Sequence, residues 1–230
     1  MKTIAQNTLI LSSFFFALPT HAATVLIDWG SAATQTSPDS NSNQWNTIGD
    51  INGRGNVSAT ALNDTSGNAS GWSVAVAFTA GNNGWGGTGI NGPVGGTSPF
   101  NTTGADRASV DGIFSNAPAG SVTITFTGLS LNTLYNLSLI GGRASTGTNG
   151  TITIDTGTGS GGTLLNDGTV LDLAITSNGS GSIAFTLVDP TTLTQSSATF
   201  NAMSITAVPE PSSSALIVLA CSGFIFRRKR

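Results

Sequence analysis

Residues 23–207 of this 230-residue chain read as an all-β, antiparallel β-sandwich of jelly-roll type. Three observations carry that reading. Apolar residues alternate with small or polar ones along short segments: Trp72, Val74, Val76 and Phe78 share one face of 72–79, while Ser73, Ala75, Ala77 and Thr79 share the other. No part of 23–207 shows a 3.6-residue apolar period. About nine such segments are separated by Gly- and Asn-rich punctuation at irregular spacing, which fits two packed sheets and not a solenoid or propeller.

The first strand is expected over 24–28 and the second over 57–62, ahead of the stripe at 72–79. Residues 81–104 hold nine glycines and no strand pattern, so they read as a long loop. Alternation returns over 121–127, where Val122, Ile124 and Phe126 oppose Thr123, Thr125 and Thr127. After a turn at 128–132, the strand 134–140 turns Tyr135, Leu137 and Leu139 inward. Strands at 150–155, 169–176, 182–188 and 198–207 complete the set. The steps Asp167-Gly168 and Asn178-Gly179 tolerate positive φ and suit tight hairpins.

The two ends read as processing signals, so three segments are expected: 1–22, 23–207 and 208–230. Met1-Lys2, an apolar run over 9–18 and the small residues of Thr20-His21-Ala22 form a signal peptide cut by signal peptidase after Ala22, with Ala23 as the alternative. The run is too short, and ends in Pro19 too soon, to serve as a membrane span. At the other end Pro209, Glu210 and Pro211 precede an apolar run over 215–226 and the basic cluster Arg227, Arg228, Lys229 and Arg230. The prolines hold the chain extended before Ser212. A helix over 212–226 would span roughly 22 Å at about 1.5 Å per residue, short against a bilayer core of about 30 Å. The four cations act as a cytoplasmic stop. A plain tail anchor would show the last two features without the first.

This tail resembles the PEP-CTERM sorting signal of Gram-negative bacteria. The resemblance implies recognition by an exosortase at a Pro209-Glu210-Pro211 motif, export across the inner membrane with a transient membrane anchor, and delivery to the cell surface or extracellular matrix.

Composition excludes several functions. Residues 23–207 carry ten Asp and three Arg, a net −7, and no Lys, Glu, His or Cys. Nucleic acid, whose binding needs clustered cations, is excluded as a partner. Ser-His-Asp triads, Cys-His pairs and histidine-bound zinc are excluded with the histidines. Cys221 lies in the apolar tail and reads as a small membrane-helix residue. A glycosidase would need two Asp residues, and Asp106 and Asp111 carry no further mark of an acid/base pair. The chain is therefore expected not to be an enzyme. Ten Asp also suit a structural Ca2+, although no D-x-[DN]-x-[DN]-G loop is present, and no other cofactor is implied.

The candidate binding residues are aromatic and amide-rich. In Asn82-Asn83-Gly84-Trp85 a large ring sits in glycine-rich chain, flanked by Asn82 and Asn83. An indole face can pack on a sugar ring while amides bond its hydroxyls; the competing role for Trp85 is a lid on the sandwich edge. Trp45, within a polar Asn/Ser/Gln run, is a second, weaker exposed candidate, whereas Trp29, directly after the strand at 24–28, and Trp72, within a core stripe, are expected to pack. Arg143 either pairs with an Asp or points into a ligand cleft. The stretch from Gly128-Leu129 through Tyr135, Gly141-Gly142-Arg143 and Ile152 to Phe200-Asn201-Ala202-Met203 resembles galactose-binding-like and malectin-like jelly rolls. That likeness implies the fold and allows extracellular polysaccharide as a partner. Two functions follow as expectations: an exported, non-catalytic surface or matrix protein, or a carbohydrate-binding module built on Trp85 or Trp45.

Overall fold

The computed structural model describes residues 23–30, 38–39, 41–49, 55–79, 84–86, 100, 112–115, 121–142, 151–165, 167–188 and 198–209. Thirteen strands run through these residues: β1 (Thr24–Trp29), β2 (Asn46–Ile48), β3 (Val57–Asn63), β4 (Ala69–Phe78), β5 (Gly84–Gly86), β6 (Gly112–Ser115) and β7 (Ser121–Thr127). Then come β8 (Leu134–Gly142), β9 (Thr151–Asp155), β10 (Gly162–Leu165), β11 (Asp167–Thr176), β12 (Ile183–Val188) and β13 (Ala198–Ala207). The described residues contain no helix; the signal peptide expected over 1–22 and the helix expected over 212–226 lie outside them.

The strands form two sheets. The first runs β11-β8-β13-β1-β2, with β6 paired to β13 and β5 to β6; the second runs β10-β9-β12-β7-β4-β3. Four antiparallel pairs nest within one another: β6 with β13, β7 with β12, β8 with β11, and β9 with β10. Successive pairs alternate between the sheets. A long antiparallel ribbon folded over on itself gives this nesting, which defines the jelly roll. One pair departs from the antiparallel expectation: β1 and β2 are parallel, Ile27 opposite Asn46. The long connection between them allows it, since a parallel pair needs a crossover of a dozen residues or more.

The alternation seen in the sequence decides which side chains fill the space between the sheets. Phe126 and Phe185, both fully buried, stack with centroids 6.5 Å apart. Trp72 meets Tyr135 edge-on at 5.5 Å and 81°. The Tyr135 hydroxyl accepts from the Ser130 amide at 2.9 Å, so the ring is buried with its polar tip satisfied. A second, smaller cluster lies on the far side of the first sheet, where Leu26, Ile140 and Ala202 pack with Trp45 and Phe100. Asn46 ties the sheets together at one edge. Its amide donates to the carbonyls of Leu26 and Asn63 and accepts from the Asn63 amide, all within 2.9 Å.

A five-residue turn occurs three times, over residues 39–43, 64–68 and 178–182. In each, the first side chain (Asp39, Asp64 or Asn178) accepts the amides two and four residues on. The fourth residue has positive φ: Ser42 at 66°, Gly67 at 85° and Gly181 at 69°. Glycine suits that position and serine does not.

Four short strands were absent from the sequence expectation: β2, β5, β6 and β10. Strand β5 lies inside the glycine-rich stretch expected to be loop throughout, with Trp85 opposite Ile113. Three or four residues are too few to show a period, and pairing with β6 supplies what local pattern lacks.

Candidate binding surface

Trp45 is not the exposed platform its polar neighbours suggested. It is 7% exposed, packs against Phe100 at 6.4 Å, and donates its Nε1–H to Asp39 Oδ2 at 2.8 Å. The polar run around it is polar because it folds into the turn at 39–43, whose carboxylate needs donors. Asp39 collects four of them: the amides of Asn41 and Asn43 on Oδ1, and the Asn43 amide group and Trp45 indole on Oδ2. Burial alone would raise the Asp39 pKa, but these hydrogen bonds outweigh it and hold the group below its ordinary value. The cluster is a clasp for the outer face of the first sheet, fully occupied by its own partners. Trp29 and Trp72 are buried as expected.

The other sequence candidates fall largely outside the described residues. Only the backbone of Trp85 is described; Asn82, Asn83, Arg143, Asp106, Asp111, Glu210, Pro211 and the basic residues 227–230 lie outside. Among the described residues, no group of three or more carboxylates, cysteines or histidines could hold a metal ion. Pro209 is described and exposed. It follows directly on the last backbone tie, in which the Val208 amide donates to the Leu134 carbonyl at 2.9 Å.

Sequence reasoning missed the outer face of the second sheet. Register places Thr125 between Ala75 and Ala184, and places Thr123 between Ala77 and Thr186. Asp155 lies opposite Thr186, and Thr123 and Thr186 share a hydroxyl hydrogen bond of 3.3 Å. The next row runs Ser121, Val188, Thr153, Thr163. Small side chains and hydroxyls cover this face, and Asp155 is the one charge in these three rows. The alternating Thr residues that signal exposed strand faces were visible in the sequence; their lateral alignment was not.

At the β9–β10 end this face deepens into an open cleft of about 470 Å³, lined by Thr153, Asp155, Thr163, Val188 and the glycines of the hairpin loop. The loop turns through Gly157 and Gly159 at positive φ, and the Gly157 amide is held by Asp155 Oδ1 at 2.8 Å. Gly161 lies so close to β9 that a Cβ there would stand 2.0 Å from the Ile154 carbonyl oxygen. Glycine is required here by packing, and its lack of a side chain leaves the cleft open.

No known protein-family pattern matches the chain, and no curated protein does. Two solved structures are similar to parts of it. The first is the CBM36-1 domain of a multidomain xylanase from the hindgut metagenome of Trinervitermes trinervoides, 17% identical with a TM-score of 0.31, covering 53% of this chain and 87% of that one. The second is an exo-β-1,3-galactanase from Phanerochaete chrysosporium, 14% identical with a TM-score of 0.31, covering 69% of this chain and 28% of that one. At these scores the jelly-roll assignment rests on the strand pairing alone.

Proposed function

We propose that the chain is an exported, non-catalytic surface or matrix protein, sorted and processed through its C-terminal tail by an exosortase-type membrane enzyme. One observation carries the reading. The Pro209-Glu210-Pro211 motif, the apolar run and the basic cluster follow in order, and the first proline is exposed immediately where β13 ends at Ala207. The prolines favour extended chain at the motif, which begins two residues beyond the last strand, so a processing enzyme would act outside the paired strands. The chemistry of 23–207 agrees, since a domain without His, Cys, Lys or Glu offers little to catalysis. Carbohydrate binding through Trp45 is not part of this proposal, because that ring is buried.

Alanine replacement of Pro209, Glu210 and Pro211 tests the route. The variant should accumulate at full length in the inner membrane while the parent is released. Equal release of the two would sink the proposal.

A further inference from the structure

The cleft beside the β9–β10 hairpin is a site that the export reading does not use, and its chemistry stands independently of how the chain leaves the cell. We infer that it binds one or two residues of a neutral polysaccharide. The placement of its groups comes from register. Thr153 and Thr163 are direct cross-strand partners, so their hydroxyls project from the same face, with Val188 on the other side of Thr153. Opposed residues on one face of a sheet stand about 5 Å apart at Cβ, and Asp155, two residues on, lies about 7 Å along the strand. These distances match the footprint of one or two sugar rings.

Each group suits a polyol. A threonine hydroxyl both donates and accepts, as a sugar hydroxyl does. Neither Thr153 nor Thr163 spends its hydroxyl on a hydrogen bond among the described residues, and Asp155 uses Oδ1 for the turn, leaving Oδ2 to accept. The Val188 methyls and glycine Cα atoms supply the apolar patch on which the C–H face of a sugar packs. The volume lies within the usual range for small-ligand sites of about 300–1,000 Å³.

The same groups argue against other ligands. Among the described residues no cation lines the cleft and one carboxylate does, an arrangement that disfavours phosphates, sulfated glycans and uronic acids. A lone carboxylate with two hydroxyls falls short of the six to eight oxygens that calcium takes. A purely apolar ligand would strand the hydroxyls. The site is also pre-organised: its side chains stand on paired strands, and the turn beside them is held by Asp155 itself.

Affinity electrophoresis of the full chain in mild detergent tests the inference, with soluble xylan, galactan, mannan and glucan as neutral probes and alginate as the polyanion. At least one neutral glycan should retard the protein, and alginate should not. Thr153→Val with Thr163→Val keeps the β-branched shape and removes both hydroxyls, and it should weaken retardation about tenfold or more. Asp155→Asn, which keeps an oxygen for the Gly157 amide, should weaken it less. Near-ultraviolet circular dichroism of each variant should match the parent, so that loss of binding is read separately from loss of fold. No retardation by any neutral glycan, retention by alginate alone, or unchanged retardation of the double variant would each overturn the assignment.

Discussion

Replacing Asp39 by alanine should destabilise the sandwich far more than replacing Asp64, although both carboxylates hold the same five-residue turn. Asp64 accepts two amides near solvent, of Ser66 and Asn68. Water can take over those bonds, so Asp64→Ala should cost about 1 kcal/mol. Asp39 accepts the equivalent amides and also the buried Trp45 Nε1–H at 2.8 Å. Removing a charged partner from a buried donor adds about 1.5–3 kcal/mol, for a total of about 2.5–4 kcal/mol. In a domain of this size that lowers Tm by about 5–15 °C, against about 2–4 °C for Asp64→Ala. The pH dependence has a definite sign. The Asp39 pKa is lowered on folding, so its stabilisation is fully present above the ordinary value of 3.8 and is lost as pH falls through the folded value. Thermal unfolding followed by tryptophan fluorescence at about pH 7 and again below about pH 4 measures both effects. Equal Tm losses for the two variants, or an Asp39→Ala deficit that does not shrink in acid, would refute the clasp.

Three further outcomes are expected. Ser42→Gly should raise stability by about 0.5–1 kcal/mol, because Ser42 holds a φ of 66° at the turn position that Gly67 and Gly181 fill elsewhere; urea unfolding reads the shift. Ser177→Ala should cost about 2 kcal/mol in the same assay, since the buried Ser177 hydroxyl donates to the Ser130 carbonyl and accepts the Thr133 amide, joining the β7–β8 and β11–β12 turns. A Trp85→Phe variant keeps only the buried indoles of Trp29, Trp45 and Trp72, so acrylamide should quench its fluorescence several-fold less than free tryptophan. Quenching close to that of free tryptophan would contradict the burial of Trp45.

The long strands were legible because their side chains alternate between two environments. Val122, Ile124 and Phe126 against three threonines could hardly be read otherwise, and these three are fully buried. The nesting of strands into a jelly roll was an inference from class, since pairing of β6 with β13 joins residues some eighty positions apart and leaves no local trace. Trp45 misled for a physical reason: an Asx turn needs Asp, Asn and Ser, so the chain around a buried indole looks like exposed loop. The recurrence of Asp or Asn followed at the fourth place by Gly or Ser was the available signal. The cleft at Thr153, Asp155 and Thr163 was invisible because those residues meet only through strand pairing and the close approach of Gly161.

Intact-mass spectrometry of the protein recovered outside the cell tests the export account most directly. The account predicts a chain that begins at Ala23, or one residue later, and lacks the apolar and basic residues after the Pro209-Glu210-Pro211 motif. Recovery of an exported chain that still ends in Phe226-Arg227-Arg228-Lys229-Arg230 would contradict it.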